Sequence, residues 1–282
     1  MFGILILCIV VFLVGFFVLK WYHRMGSPHQ NFGLADAKLD SSIPTIFLPG
    51  YFGKRFSFGF MLNRFEKKFW AKKSMVIRVG KLGNMKVQGD LANKRSLIQV
   101  IFTDHSSKAV VQANWLKDIC LILNQQFNVD SINLVGHSMG CITIFWFLTH
   151  QLKDLPIQVK RVVAIAGPFN NAEVAKNTKD VENYPNGEHG PKKRMPIYDA
   201  LLHSVKNIPD DVQVLNIAGS INDQVFHDGE VSVNSAISLR YILKQTAVHY
   251  RELIVRGNRA THWKLHENRN VDQTIAKFLW NI

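Results

Sequence analysis

The 282-residue chain has little cysteine, and its three cysteines sit where cross-linking gains nothing. Cys8 lies in an N-terminal apolar run, while Cys120 and Cys141 fall in segments that read as buried helices. Such a set implies neither a disulfide framework nor a metal cluster. The sequence also lacks zinc-ligand spacing, an RNP-like aromatic pattern and a basic heptad region, which leaves nucleic-acid binding without a motif to carry it. Acidic residues are the scarcer charge, 21 against 34 basic ones, for a formal net charge of +13. The basic residues are scattered, with small clusters at Lys67-Lys68, Lys72-Lys73 and Lys192-Lys193-Arg194. That distribution suits anionic lipid, cell-wall polymer or plain solubility. No internal repeat is present.

A 47% hydrophobic and 20% charged composition is that of a chain with a sizeable core. The length suits one large α/β domain or two small ones. Residues 2–19, FGILILCIVVFLVGFFVL, are uncharged and apolar throughout, at the lower end of the roughly 17–25 residues that span a bilayer. Lys20, Trp21, Tyr22 and Arg24 follow as an aromatic and basic interfacial edge. A cleaved signal would show a basic leading region and a small-x-small site, and neither is evident. Residues 1–24 therefore read as a retained anchor or uncleaved signal segment. Lys20 and Arg24 would hold their side in the cytoplasm by the positive-inside rule, but a bias of so few charges leaves orientation open. Residues 25–42, with Gly26, Ser27, Pro28, Gly33, Ser41 and Ser42, read as a tether.

Beyond the tether, short apolar strands alternate with longer amphipathic stretches. Expected strands are 44–48, 74–79, 97–103, 131–135, 159–165, 212–217 and 249–255, and expected helices 108–127, 139–152, 233–243 and 270–280. This alternation predicts an α/β domain over 43–282 with a mostly parallel, doubly covered sheet. The polar stretch 168–198, rich in proline, glycine and asparagine, breaks the rhythm and reads as a lid-like excursion.

The chemistry centres on Gly136-His137-Ser138-Met139-Gly140, at the junction of an apolar strand and an apolar helix. A Gly-x-Ser-x-Gly match alone is weak, but strand, sharp turn and helix are the context it needs. Small residues on both sides let strand and helix approach, and the helix N-terminus favours an oxyanion there. The Met139 amide is one candidate donor. Pro49-Gly50-Tyr51-Phe52-Gly53, after an earlier strand, supplies the second in the Tyr51 amide. A serine hydroxyl needs a base, and chain order places that base after the last strand. His262 and His266 both lie there, and His262, first after the Gly257-Asn258 turn, is preferred. The acid belongs after the preceding strand, where Asp223 and Asp228 both qualify.

Taken together, Leu48-Pro49-Gly50-Tyr51, the serine turn, Gly167-Pro168-Phe169-Asn170, Asp228-Gly229-x-Val231 and His262-x-x-Leu265-His266-Glu267-Asn268 resemble a family in Gram-positive bacteria. It comprises α/β-hydrolases often described as cell-surface hydrolases, and the resemblance covers roughly 43–282. It implies the α/β-hydrolase fold, with Ser138, Asp228 and His262 at the positions of the family's triad. It also implies a domain held outside the cell membrane by its N-terminal segment. The expected activity is hydrolysis of a small-molecule or lipid-like carboxylic ester, without metal or organic cofactor. An acyltransferase or amidase would use the same triad, and a non-catalytic anchored binding module would keep the same fold. The oligomeric state is not legible.

Overall fold

The computed structural model describes residues 2–25, 42–91, 94–171, 185–222 and 226–282. Strands β1 (Thr45–Leu48), β2 (Lys72–Val79), β3 (Met85–Gly89), β4 (Ser96–Phe102), β5 (Ser131–His137), β6 (Gln158–Ile165), β9 (Gln213–Ser220) and β10 (His249–Arg256) form one sheet. Its order is β10-β9-β6-β5-β1-β4-β2-β3, and every pair is parallel except β2 with β3. A second, two-stranded piece pairs β7 (Asn186–Gly187) with β8 (Gly190–Pro191).

Alternation along the strands divides the core in two. Ile46 and Leu48 of β1 join the cluster beneath α3 (Ala109–Phe127), α4 (Met139–His150), α5 (Pro196–Ser204) and α7 (Leu239–Leu243). Phe47 faces the other side, beneath α2 (Phe56–Lys67) and α8 (Arg269–Trp280). Helices on both faces explain why β4 and β5 read as nearly unbroken apolar runs. The expected doubly covered parallel sheet is present.

Four elements depart from the sequence expectation. Helix α2 was not expected, because Gly59 and four phenylalanines give FSFGFMLNRFEK poor helical propensity. Tertiary contact overrides propensity there: a β-carbon on Gly59 would come within 3.1–3.2 Å of Met25 side-chain atoms. The edge strand β3 and the helix α5 were also missed. The helix expected over 233–243 is two short ones, α6 (Val233–Ile237) and α7, that meet at Ser238.

Helix α1 (Phe2–Met25) runs one residue into the stretch read as tether, whose residues 26–41 lie outside those described. In the 168–198 stretch the described ends are tied to the domain. Asn170 donates from Nδ2 to the Lys193 carbonyl at 2.9 Å and accepts from the Met195 amide at 2.9 Å. Residues 172–184, the middle of the expected lid, lie outside those described.

Candidate active site

The carboxyl ends of β1 and β5 are neighbours at the centre of the sheet, where connections diverge to opposite sides and open α/β sheets bind ligands. Ser138 links β5 to α4 with φ 54° and ψ −125°, a conformation that L-residues adopt only under constraint. The constraint is visible on both sides of it. A β-carbon on Gly136 would lie 2.8 Å from the Gly140 backbone, and one on Gly140 would lie 2.4 Å from the Leu48 carbonyl oxygen. The Ser138 amide donates to the Ile165 carbonyl at 2.9 Å, which holds the turn against β6.

The loop after β1 packs directly on this turn. A β-carbon on Gly50 would sit 2.8 Å from Cβ of Ser138, so only glycine brings the loop so close. The Phe52 amide donates to the His105 carbonyl and the Gly53 amide to the Gly50 carbonyl. Among the described residues, no acceptor takes the Tyr51 amide. Met139 is the first residue of α4, whose amide the helix itself leaves unpaired.

His262 opens a 3-10 turn, His262–Glu267, after β10 and is buried. Its Nδ1–H donates to Asp228 Oδ2 at 2.8 Å, and its amide donates to the Asp228 carbonyl at 2.8 Å. The other oxygen of Asp228, Oδ1, accepts the amides of Glu230 at 2.9 Å and Val231 at 2.7 Å. Gly229, at φ 106°, makes that tight turn. Asp223 lies outside the described residues.

Burial pulls the His262 imidazole down, but the hydrogen bond and charge of Asp228, then the charge of Glu230, outweigh it and raise its pKa above the ordinary value. His262 Nε2 meets Glu230 Oε2 at 3.4 Å. Among the described residues, no hydrogen bond joins it to Ser138 Oγ. His266 turns elsewhere, its Nδ1 against Glu267 Oε1 at 3.1 Å.

Three supporting residues escaped sequence reasoning. His137 Nε2 donates to the His262 carbonyl at 3.0 Å. Burial first, then His262 and His266, holds His137 well below the ordinary imidazole value, so it stays neutral in that role. Glu230 stood inside the Asp-Gly-x-Val motif without a role. Arg64 of α2 pairs with Asp272 through Nε and Oδ2 and with Glu267 through Nη1 and Oε2, both at 2.5 Å, and donates to the His266 carbonyl at 2.8 Å. One guanidinium thus ties α2 and α8 to the turn that carries His262. Only a third dimension brings residues 64, 267 and 272 together, so no local pattern signals it.

Residues 35–282 match the family described as α/β-hydrolase of unknown function, DUF915. The chain belongs to this family. The product of lin2722 from Listeria innocua is similar at 24% identity, with 85% of this chain and 94% of that one covered and a TM-score of 0.76. A candidate cell surface hydrolase from Lactobacillus plantarum is similar at 23% identity, covering 86% and 91% with a TM-score of 0.67. Est1E from Butyrivibrio proteoclasticus shares the fold at 11% identity, covering 86% and 89% with a TM-score of 0.50. No curated protein matches the chain. The family and the first two similar structures agree with the resemblance drawn from the motifs.

Proposed function

We propose that this family member is a membrane-anchored serine hydrolase that cleaves carboxylic esters. The observation that carries the reading is the buried Asp228–His262 pair at 2.8 Å, placed at the end of the sheet where Ser138 is held in its constrained turn.

In this reading Ser138 Oγ attacks the acyl carbonyl while His262 Nε2 takes its proton. Asp228 keeps the other imidazole proton on Nδ1 and stabilises the imidazolium. The Tyr51 and Met139 amides receive the negative oxygen of the tetrahedral intermediate. His262 then protonates the leaving alcohol, and water, deprotonated by the same base, releases the acid. Only side chains and amides of the chain are needed.

The anchor in this reading is α1. Ile6–His23 is the one described stretch long and apolar enough to cross a membrane, and none of its residues is fully buried. At 1.5 Å per residue, a 24-residue helix measures about 36 Å, against a hydrocarbon core of about 30 Å. With the catalytic domain beginning near residue 43, the domain would stand at the membrane surface, on the outer side as the motif resemblance implies.

A fluorophosphonate probe tests the chemistry. Covalent labelling of the wild type, absent in Ser138→Ala and accompanied by hydrolysis of a nitrophenyl ester, is the expected result. Equal labelling of both forms would remove Ser138 from the mechanism.

A further inference from the structure

The last turn of α1 packs on the first turn of α2. The Trp21 ring lies 5.5 Å from that of Phe56 and 5.2 Å from that of Phe60. The Arg55 guanidinium sits 3.8 Å over the Tyr22 ring, and Arg55 Nη1 donates to the Tyr22 carbonyl at 3.2 Å. Three residues after Tyr22 the buried Met25 accepts at its carbonyl from Lys73, near the amino end of β2, at 2.9 Å. Followed backwards from Met25 to Tyr22, the helix thus climbs toward the carboxyl ends of the strands. It leaves the domain beside the loop that carries Tyr51. Only Lys54 and Arg55 separate Gly53 of that loop from Phe56, a reach of at most about 11 Å.

Exposed apolar side chains gather at the same end. Outside α1, eight large hydrophobic residues are exposed among the described residues. Six follow carboxyl ends of strands: Phe52 after β1, Leu82 after β2, Val110 and Val111 after β4, Phe226 after β9 and Trp263 after β10. The other two, Phe69 and Ile282, lie at the opposite end or the chain terminus. Leu82 is 96% exposed, and Trp263, next to the candidate base, 59%. From β10 to β2 is six strand spacings, about 29 Å. Scattered single apolar residues need no explanation, but a gathering at one end does. Lys54, Lys81 and Lys264 adjoin Phe52, Leu82 and Trp263; the described acidic residues at that end include Asp104, the buried Asp228, Glu230 and Glu267.

We infer that this end of the domain rests on the bilayer that α1 enters, and that the substrate is an ester-bearing amphiphile drawn from that same leaflet. Tryptophan and tyrosine at the end of a spanning helix settle at head-group depth. Trp21 and Tyr22 therefore place Phe56, and the Tyr51 loop just before it, at that depth. The apolar rim enters the interface, the lysines meet anionic head groups, and the carboxyl end of the sheet with the Ser138 turn faces lipid. The substrate class rests on the serine-hydrolase reading; the orientation does not.

The test uses the full-length chain in vesicles of phosphatidylcholine and phosphatidylglycerol. With Cys8→Ser removing the exposed thiol, Leu82→Cys and Phe69→Cys are each labelled with an environment-sensitive fluorophore. Brominated acyl chains should quench the label at 82 and spare that at 69. No quenching at 82, or equal quenching at both, would overturn the orientation. In a second arm, the Leu82→Asp, Val111→Asp double variant should keep wild-type turnover of a soluble nitrophenyl butyrate. It should lose roughly tenfold on a diacylglycerol ester embedded in the vesicles, as about 1.4 kcal/mol of lost interfacial binding would give. Unchanged turnover of the embedded ester would overturn the substrate class. Wild-type protein that hydrolyses neither ester, with the label at 82 still quenched, would sink the serine-hydrolase reading and leave the orientation standing.

Discussion

Asp228 grips His262 twice, through Oδ2 to the ring Nδ1 and through its main-chain carbonyl to the His262 amide, each at 2.8 Å. The second contact survives any change of side chain, so a substitution here tests chemistry more than architecture. In Asp228→Asn the amide oxygen would keep the Glu230 and Val231 amides, which Oδ1 now accepts. The NH2 group would then face Nδ1 and force the imidazole proton to Nε2, where the base must be free. Turnover should fall by about four orders of magnitude. Asp223→Asn should retain most activity. Initial rates of both variants on folded protein decide, and the reverse ranking moves the acid to Asp223.

Ser138 is held at φ 54° and ψ −125°, where glycine is at ease and serine is strained by about 1–3 kcal/mol. Ser138→Gly should therefore raise the unfolding free energy by an amount in that range while abolishing turnover, a loss on the order of a million-fold. Ser138→Ala should lose the same activity with no such gain, since alanine carries the same β-carbon. Urea unfolding of the three forms side by side is the check. Equal stability of serine and glycine would mean the turn carries no strain.

In the proposed mechanism His262 must be neutral to act as base, and its pKa is raised above the ordinary value of about 6.5. The acid limb of kcat/KM should accordingly lie above that pH, with activity falling as protons are added. Glu230, 59% exposed at its side chain, contributes part of the shift by its charge. Glu230→Gln should move the limb to lower pH, and added salt should shrink the difference between the two forms. Superimposable pH profiles would show that Glu230 does not act on the base.

The serine turn, the loop at Gly50 and the last histidine loop were legible because each is local. A glycine at a close approach, a strand feeding a helix and a residue after the final strand all leave marks within ten positions. The doubly covered sheet followed from alternation for the same reason. Helix α2 was not legible, because what permits Gly59 within it is Met25, more than thirty residues earlier. Nor was Arg64, whose partners lie some two hundred residues away. The preference for His262 over His266 rested on order along the chain. The geometry adds that His262 meets Asp228 while His266 meets Glu267.

Arg64 leaves two carboxylates to each other if it is removed. Asp272 is buried, and burial already pushes its carboxyl up despite the guanidinium. Arg64→Met should destabilise the domain by about 3 kcal/mol, the usual cost of stranding one member of a buried ion pair. It should also slow turnover, because the turn bearing His262 loses its tie to α2. The double variant Arg64→Met, Asp272→Leu should recover part of the stability. If the single variant unfolds at the same urea concentration as the wild type, the network is decorative.

The contact between α1 and α2 makes a truncation boundary measurable. Removing residues 1–20 deletes most of the exposed apolar span and leaves Trp21, Tyr22 and Met25 in place. Removing residues 1–25 also strips Met25, which is 2% exposed, from over Gly59, and takes from Lys73 one carbonyl acceptor. Both forms should hydrolyse a soluble ester, since every candidate catalytic residue lies beyond position 43. Burial of a methionine side chain is worth about 1.5–3 kcal/mol, so the shorter form should unfold with a deficit of that size. Filling the pocket restores the comparison: in the shorter form, Gly59→Ala places a methyl where Met25 had lain and should regain part of the loss, aided by alanine's better helical propensity. In the full-length chain the same substitution would bring a β-carbon to 3.1 Å from Met25 Sδ and should weaken the contact. Equal stability of the two truncated forms would show that α1 does not pack on the domain in solution, and with it would go the placement of α1 beside the Tyr51 loop.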